Sequence, residues 1–460
     1  MITRIEIDGF KTFQDFKLDL GPFQVIVGPN GAGKSNLFDA LRLLSRLADS
    51  DLRTAFQDLR GEAGELFTSL PDGGTSDQMR LGVEMLVEPQ VQDSWGAKAD
   101  LKYTRLRYEL EISRRTDNQG SERLYVDKES LIPIRRGNDR WLKRYNLSGK
   151  DRFPKLTGGR VPFISTRREE NRTTIMLHQD GHGGRKSGAA ENMERTVLSG
   201  INNTEFSHAF AVYEEMHSWK FLQLNPEVLR QPASMLARPF VLPDGSNIAA
   251  ALARIQKENA FILNDISRDL ANLIPGVLKV EIEEDRKRDQ YLIHIHTHDG
   301  RAFSSRVLSD GTLRALALVT LKNDPGHRGL LCFEEPENGF HPFRLRNLLE
   351  VLTELSTDFS DPEQSDEPLR QLLVNSHSPV LAGQKAVWSD ILFAYMRTQT
   401  RPGQSQRMTR IIPLSSDSQR KLELEIDDEE EEYSVGQVID YLNTADLGEA
   451  IDRIKAKNRK

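Results

Sequence analysis

The chain opens with short stretches in which apolar and polar residues alternate. Residues 2–8 and 15–20 alternate in this way around the turn GFKTF, which predicts two β-strands. FQVIVG, at residues 23–28, is a continuous apolar run that ends in glycine, as expected of a strand buried on both faces. After a glycine-rich loop, apolar residues recur at helical spacing: Leu37, Leu41, Leu44 and Leu47. The pattern predicts the order strand, glycine loop, helix.

The middle of the chain changes its pattern twice. Strand-like segments, separated by loops rich in Gly, Asn and Asp, dominate from about residue 80 to residue 170. GHGGRKSGAAEN, at residues 181–192, predicts a flexible loop; it is not a phosphate loop, because Arg185 stands where glycine must precede the lysine. Residues 204–224 and 246–274 have helical spacing, and no sustained heptad array predicts a long coiled coil.

The last third alternates between strand and helix. A hairpin is predicted at residues 278–300, followed by a polar glycine turn and a helix to about residue 322. The apolar run GLLCFEE then predicts a strand, residues 342–356 a helix, and QLLVNS and DILFAYMR two further strands. The prediction is an α/β fold with a mixed sheet and flanking helices.

Composition narrows the class of protein. With 460 residues, of which 38% are hydrophobic and 28% charged, the chain can bury a sizeable core. The longest apolar runs are far too short to span a bilayer, and the N-terminus lacks the apolar stretch of a signal peptide. Cys332 is the only cysteine, so no intrachain disulfide is possible. We expect a cytoplasmic protein with no membrane partner.

Charge is spread unevenly around a net value of −7. Basic residues outnumber acidic ones between about residues 102 and 172, and the candidates for an anion-binding surface are Arg135, Arg136, Lys143 and Arg144. This region is either a solvated surface or a surface for nucleic acid or another anionic partner. The acidic block EIDDEEEEY near the C-terminus predicts a solvated segment.

GPNGAGKS, at residues 28–35, satisfies the phosphate-loop pattern in full and lies between a predicted strand and a predicted helix. Its glycines let backbone N–H groups face phosphate oxygens, and the helix adds its positive end. Lys34 is expected to reach the β- and γ-phosphates of ATP, and the Ser35 hydroxyl to ligate Mg²⁺. The complete set of nucleotide-binding candidates in this loop is Asn30, Gly31, Gly33, Lys34, Ser35 and Asn36.

Two later strands end in groups suited to hydrolysis. LLCFEE ends in Glu334 and Glu335, whose side chains would point to opposite faces of a regular strand. We therefore assign Glu334 to the metal and Glu335 to the polarisation of an attacking water. VNSHSP follows the next strand, where His377 could contact the γ-phosphate, because ligands gather at the carboxyl ends of such sheets.

SDGTLR, at residues 309–314, is a second polar glycine turn at the head of a helix. The hydroxyl of Ser309 and the N–H groups near Gly311 would suit an anion. The strand segment HIHTH also places His294, His296 and His298 on one face, where a solvated surface is a better interpretation than a metal site.

These motifs, in this order, resemble those of ABC-type ATPases of the RecF/SMC class, and most of all the compact overcoming-lysogeny-defect (OLD)-like ATPases. GPNGAGKS resembles their Walker A motif, LSDGTLRALAL their signature motif, LLCFEEPENGFHP their Walker B motif and D-loop, and VNSHSP their switch-histidine loop. The resemblance covers roughly residues 1–50 and 300–395. It implies an ATPase with ATP and Mg²⁺ as cofactors, and a homodimer or higher oligomer in which Ser309 and Gly311 cover the γ-phosphate bound by a second subunit.

The resemblance also implies an ABC-type head with an inserted region. The predicted parts are residues 1–95 with Walker A, an inserted strand-rich and helical region at 96–300, residues 301–400 with the other motifs, and a tail at 401–460. Departures from the family pattern are Glu334, where transporter-type heads have aspartate, and the Q-loop, for which Gln57 and Gln78 are both candidates. Lys11 lies where related heads contact the nucleotide.

Three functions remain open. The tail is too short for the Toprim nuclease domain of OLD proteins and lacks a matching Asp-x-Asp. The first hypothesis is therefore an ATPase sensor or scaffold for a separate Toprim-like or other nuclease effector, as in PARIS-type anti-phage systems. The second is a RecF-like ATPase that binds DNA during repair, and the third is a nucleotide-gated interaction module that does not hydrolyse ATP.

Overall fold

The computed structural model describes most of the chain. The described residues are 1–70, 73–116, 120–135, 137, 139–145, 147, 161–169, 172–179, 185–189, 193–362, 364, 367–401, 404–414 and 438. Residue Arg136 and the acidic block at 425–433, both singled out from the sequence, lie outside them.

The described residues form twenty strands and ten α-helices. The strands are β1 Ile2–Asp8, β2 Phe16–Asp19, β3 Phe23–Val27, β4 Gln78–Leu86, β5 Gln90–Gln92, β6 Lys98–Asp100, β7 Arg105–Thr116, β8 Glu122–Pro133, β9 Ile164–Glu169, β10 Arg172–His178, β11 Arg185–Ala189, β12 Lys220–Leu222, β13 Ala233–Ser234, β14 Val277–Asp285, β15 Gln290–Thr297, β16 Ala302–Ser304, β17 Gly329–Glu334, β18 Arg370–Ser376, β19 Ile391–Arg401 and β20 Gln404–Pro413. The helices are α1 Lys34–Leu47, α2 Leu52–Gln57, α3 Arg140–Tyr145, α4 Ser207–His217, α5 Pro226–Leu229, α6 Ile248–Glu258, α7 Ala260–Leu273, α8 Asp310–Asn323, α9 Leu345–Glu354 and α10 Pro379–Ala382.

A six-stranded sheet carries the predicted motifs. Its order is β12-β17-β18-β3-β19-β20, and all neighbours are parallel except the antiparallel pair β19 and β20. The carboxyl ends of β3, β17 and β18 therefore lie side by side, and they lead into the phosphate loop, the glutamate pair and the switch-histidine loop. Ligands collect at such an edge.

Both faces of this sheet are covered, which explains the apolar runs in its strands. Ile26, Cys332 and Leu373 pack with α1 in one hydrophobic cluster. Their sequence neighbours, such as Val25 and Phe333, pack with α6 to α9 in a second cluster. A parallel strand that is buried on both faces needs apolar residues at successive positions.

An eight-stranded antiparallel sheet covers the other side of α1. Its order is β11-β10-β9-β8-β7-β4-β1-β2, and its apolar residues share the cluster that holds α1. A third sheet, with β13, β14, β15 and β16, packs against α6 and α7. The α/β fold with a mixed sheet and flanking helices is thus confirmed, and within the described residues the longest helices have 14 residues, so no long coiled coil is present there.

The division into domains at residues 95, 300 and 400 remains a prediction. The antiparallel sheet draws strands from both sides of residue 95, and β12 from the predicted insertion pairs with β17. β19 crosses residue 400 and continues into β20.

Some predicted elements differ from the structure. The helix predicted at 204–224 ends at His217, and residues 220–222 instead form β12, because an apolar segment there completes the edge beside β17. The helix predicted at 246–274 is two helices, separated at Asn259, whose side chain caps α7 by accepting from Phe261 N at 3.0 Å. The predicted flexible loop contains strand β11, paired with β10. None of the helices in the described ranges has the length and apolar character that crossing a membrane requires.

Candidate functional site

The phosphate loop links β3 to α1 through glycines with different roles. Gly31 and Gly33 have positive φ angles of 78° and 89°, which glycine adopts without strain. A Cβ on Gly33 would lie 1.9 Å from Thr409 Oγ1, and one on Gly28 would lie 2.3 Å from Ala394 O, whereas one on Gly31 would meet no atom within 4 Å. Gly28 and Gly33 thus let the loop press against β19 and β20, and Gly31 belongs to its open crown together with the exposed Asn30.

Lys34 bends back over its own loop. Its ammonium donates to Gly28 O at 2.7 Å and to Pro29 O at 2.9 Å. Burial lowers the pKa of Lys34 to about 8, although the nearby Glu335 and Glu334 carboxylates act in the opposite direction. Lys34 therefore lies near both acidic residues, and a bound phosphate would further favour its protonated form.

Two other candidates near the loop contact protein groups. Asn36 donates through Nδ2 to Thr12 Oγ1 at 2.9 Å, and Thr12 Oγ1 lies 2.7 Å from Thr409 Oγ1. Lys11 forms an ion pair with Asp39 of α1 at 2.7 Å. These contacts connect the turn at residues 9–13 to α1 and β20, next to the phosphate loop. The nucleotide contacts of Asn36 and Lys11 stay predictions.

The glutamate pair does not continue the strand. β17 ends at Glu334, and Glu335 has a left-handed φ of 51° while its N–H donates to Asn375 O at 2.7 Å. Strand alternation therefore does not decide where the two side chains point, because the strand stops at Glu334, and their placement on opposite faces stays a prediction. Both carboxylates raise the pKa of Lys34.

Glu335 is held from two sides. Its Oε1 lies 3.1 Å from His377 Nδ1, and its Oε2 accepts from Asn338 Nδ2 at 2.7 Å. The structure thus brings together the two residues predicted to be catalytic, from different strand ends. Asn338 was not foreseen, because it reaches the site only through the turn that follows β17. A left-handed non-glycine residue costs free energy and commonly marks a functional position.

Glu334 and its neighbours form an oxygen-rich cluster. Glu334 Oε1 and Asn375 Oδ1 are buried without a hydrogen-bond partner in the described structure, and Asn375 Nδ2 lies 3.5 Å from Ser35 Oγ. Glu334 Oε2 is 3.5 Å from Arg60 Nη2. Hydroxyl, carboxylate and amide oxygens are the ligands that Mg²⁺ prefers, and unsatisfied buried acceptors would be matched by a cation and its waters. The residues present therefore fit a Mg²⁺ ion bound between Ser35 and Glu334.

The sequence missed Asn375 and Arg60 for different reasons. Asn375 ends an apolar strand two residues before His377, so its position was a usable signal. Arg60 follows α2, far from every motif in sequence, and only the fold brings it to Glu334. Glu337, also unforeseen, accepts from the Ser376 hydroxyl, and burial raises the pKa of Glu337.

The polar glycine turn is built onto the loop that holds Glu335. Ser309 caps α8: its Oγ accepts from Thr312 N at 3.2 Å. A Cβ on Gly311 would lie 2.3 Å from Gly339 O, and Arg314 of α8 donates to Asn338 O at 3.3 Å. Gly311 and Arg314 thus pack against residues 338–339, and the contact of Ser309 and Gly311 with a nucleotide stays a prediction. For the Q-loop, Gln57 ends α2 and Gln78 begins β4, so both remain candidates.

In the described part of the strand-rich region, most basic side chains have carboxylate partners. Arg105 is fully buried and pairs with Asp139 at 2.8 Å, and Arg107 pairs with Glu6 and Glu109. Similar ion pairs hold Arg80, Arg114, Arg115, Arg123 and Lys128. Many positive charges of this region are therefore compensated by nearby carboxylates. Of the four candidate residues, Arg135, Lys143 and Arg144 are exposed.

The histidines of β15 form pairs with glutamates. His294 Nε2 lies 2.8 Å from Glu283 Oε2, and His296 Nε2 lies 2.5 Å from Glu281 Oε2. His298 follows the end of the strand. No group of three or more His, Cys, Asp or Glu side chains placed to hold a metal ion occurs in the described part of the chain.

Comparison with protein-family models gives a match over most of the chain. The family model "AAA domain, putative AbiEii toxin, Type IV TA system" matches residues 23–383. The chain is similar to the chromosome partition protein Smc of Clostridium kluyveri, with 26% identity over 244 residues, which cover 50% of this chain and 19% of Smc. It is also similar to the OLD nuclease of Thermus scotoductus, with 43% identity over 44 residues, 10% of this chain and 8% of the nuclease.

Among solved structures, the SmcHead bound to the C-winged helix domain of ScpA is similar, with 15% identity and a TM-score of 0.44, covering 89% of this chain and 97% of that chain. The chain spans less than a fifth of the length of the Smc and OLD relatives named above. The family match, by contrast, extends from β3 to the residues after His377 and so includes the phosphate loop, the polar glycine turn, the glutamate pair and the switch-histidine loop. The chain therefore belongs to this AAA-domain family, as an ABC-type ATPase of the RecF/SMC/OLD-like class.

Proposed function

We propose that two copies of this chain bind two ATP molecules between them and hydrolyse them. The observation that carries the proposal is the convergence of Lys34, Glu334, Glu335 and His377 at the carboxyl edge of one sheet. Lys34 would exchange its two carbonyl contacts for phosphate oxygens. Ser35 and Glu334 would hold Mg²⁺, which supplies positive charge against the β- and γ-phosphates.

Glu335 and His377 would act on the attacking water. Glu335 Oε2 accepts from Asn338 through one lone pair, and its remaining lone pair can accept a hydrogen bond from that water and orient it. His377, 3.1 Å from Glu335 Oε1, keeps the carboxylate in place and can donate its other ring N–H to the γ-phosphate. A charged acceptor and a positioned donor are the groups that such a transfer needs from the protein.

The second copy is supported by what surrounds the polar glycine turn. Val307 is 69% exposed and Phe343 is 88% exposed, and these apolar residues lie within four positions of Ser309 and Gly339. Val380, three residues after His377, is 45% exposed. Exposed apolar side chains beside several motifs fit a face that a second copy covers. Ser309 and Gly311 would then approach the γ-phosphate held by that copy.

Trapping tests the composite site. Glu335→Gln with ATP should shift the protein to a dimer in size-exclusion chromatography with light scattering, because ATP is bound but not cleaved. The double variant Glu335→Gln with Ser309→Arg should remain monomeric. Lys34→Ala mixed with Ser309→Arg should recover part of the ATPase activity, since one of the two interfaces is then intact. A Ser309→Arg protein that hydrolyses ATP normally at high dilution would leave Ser309 as a helix cap only.

We further propose that the ATPase serves a separately encoded effector in anti-phage defence. The description of the matched family reads "AAA domain, putative AbiEii toxin, Type IV TA system", and one relative is an OLD nuclease. The chain would act as sensor and scaffold for a Toprim-like or other nuclease. Co-purification of the product of the neighbouring gene, in the presence of ATP, tests this; a neighbour that never associates in any nucleotide state would contradict it.

The RecF-like alternative rests on few side chains. Among the arginines of the strand-rich region that the structure describes, most have carboxylate partners, and the exposed candidates for duplex DNA there are Arg135, Lys143 and Arg144. Strong duplex binding with a steep salt dependence would favour that alternative. ATP binding without hydrolysis would favour a nucleotide-gated interaction module.

A further inference from the structure

Asn375 lies in the metal-binding part of the site, and no motif assigns it a role. It is 4% exposed and stands beside Glu334 in the register of β17 and β18. Its amide Nδ2 lies 3.5 Å from Ser35 Oγ, whereas its Oδ1 is buried without a partner in the described structure. Glu334 Oε1, on the adjacent strand end, is unsatisfied as well.

Two unsatisfied acceptors side by side are costly. A buried polar atom without a partner destabilises the folded state, and buried acceptors in native proteins nearly always have a donor. The backbone of residue 375 does not explain why this residue is an asparagine. Its carbonyl oxygen accepts a hydrogen bond from Glu335 N–H, and any residue would supply that oxygen. The buried Oδ1 of Asn375 therefore indicates a functional role for this side chain.

The chemistry of the Ser35 hydroxyl supplies that function. A hydroxyl has one O–H donor and two lone pairs, so a hydroxyl that ligates a cation through a lone pair is oriented best when its O–H donates a hydrogen bond to another acceptor. Here Asn375 Nδ2 faces Ser35 Oγ as a donor, occupies one of the two lone pairs and leaves the O–H without this acceptor. A half-turn of the amide exchanges Nδ2 and Oδ1, so that Oδ1 accepts the hydrogen bond from the Ser35 O–H and the occupied lone pair becomes free.

We propose that Asn375 is a positioning residue of the magnesium site, and that its amide turns from donor to acceptor toward Ser35 when the metal binds. The freed lone pair of Ser35 then faces the metal. The turned Nδ2 moves to the side that Oδ1 occupied and becomes available to acceptors there. This inference rests on the proposed binding of MgATP.

A packing role predicts a different result. If Asn375 only fills space, its replacement changes stability and weakens nucleotide binding to the same extent with and without metal. If it orients Ser35, only the gain in affinity that Mg²⁺ confers is lost. Groups that orient metal ligands typically contribute about 10–100-fold to metal affinity.

The experiment measures the Kd of a fluorescent, non-hydrolysable ATP analogue in EDTA and in Mg²⁺, and the Kd of Mn²⁺ by electron paramagnetic resonance with the analogue bound. Asn375→Leu should keep the EDTA value within about twofold and lose about tenfold or more of the metal-dependent gain. Asn375→Asp, which keeps an acceptor for the Ser35 proton, should restore the gain. Asn347→Leu is the matched control: its amide donates to Asn272 O, outside the site, so the gain should persist.

The other outcomes distinguish a failure of the proposed function from a failure of the role of Asn375. A parent protein that binds no analogue, or gains nothing from Mg²⁺, overturns the proposed function itself. If Mg²⁺ raises the nucleotide affinity of the parent protein and of Asn375→Leu equally, only the role of Asn375 is overturned. Equal losses in EDTA and in Mg²⁺, or no rescue by Asn375→Asp, also overturn that role.

Discussion

Gly311→Ala tests whether α8 controls the position of Glu335. The added Cβ would lie 2.3 Å from Gly339 O, whereas a relaxed carbon–oxygen contact is about 3.3 Å, so helix and loop must separate by roughly 1 Å. Overpacking of this kind costs about 1–3 kcal/mol, and the better helix propensity of alanine returns at most about 1 kcal/mol. The net strain is therefore small enough for the protein to fold, and it falls on residues 338–339.

The functional effect should exceed the effect on stability. Asn338 holds Glu335 at 2.7 Å, so a shift of its loop moves the carboxylate. A misplacement of about 1 Å costs on the order of 100-fold in rate. We expect kcat for ATP to fall by about 10- to 100-fold, the Kd of the nucleotide to stay within about threefold, and Tm to fall by a few degrees.

The assay is steady-state ATP hydrolysis, paired with nucleotide binding and thermal unfolding. Gly200→Ala is the matched control, because it lies at the end of a 3₁₀ helix, has no positive φ, and an added Cβ there would meet no atom within 4 Å. It should change none of the three quantities. A Gly311→Ala protein with kcat within twofold of the parent would refute the coupling between α8 and Glu335.

Three further predictions concern other parts of the molecule. Lys34→Ala should weaken ATP binding at least about 100-fold, since several charge-assisted hydrogen bonds of about 1.5–3 kcal/mol each are lost; titration with a labelled nucleotide measures this, and unchanged affinity would remove Lys34 from the site. Burial holds the pKa of His327 well below 6.5, so this residue is neutral when folded and takes up a proton on unfolding below that pH. The contribution of neutral His327 to the free energy of unfolding is intact above pH 6.5 and decreases by about 1.4 kcal/mol per pH unit below it. His327→Leu should therefore flatten the fall of the urea midpoint between pH 6.5 and pH 5. An unchanged slope would contradict the assignment. If Arg135, Lys143 and Arg144 bind DNA, their replacement by Glu should remove the affinity and its salt dependence in a fluorescence titration; binding that survives the replacement would exclude them.

Local patterns were sufficient to predict the centre of the fold. The phosphate loop, the buried strand before it and the helix after it are contiguous, so spacing alone identifies them. The convergence of Lys34, Glu334 and His377 followed from a general property of parallel sheets, whose carboxyl ends meet at one edge. The prediction was weaker wherever the outcome depended on a partner far away in the chain. Residues 220–222 have no strong strand pattern, and they form a strand only because β17 offers a free edge.

Only the tertiary structure decided how charges and turns are used. The sequence shows an excess of arginines between residues 102 and 172, but their carboxylate partners come from distant positions such as Glu6 and Glu194. It shows two consecutive glutamates, but not that the strand stops between them and that Asn375 O receives the Glu335 N–H. Periodicity and motif spacing report on neighbours along the chain, because they reflect backbone geometry over a few residues. Pairing of charges, unsatisfied acceptors and close glycine contacts depend on which segments meet in space, and that is fixed only when the whole core has formed.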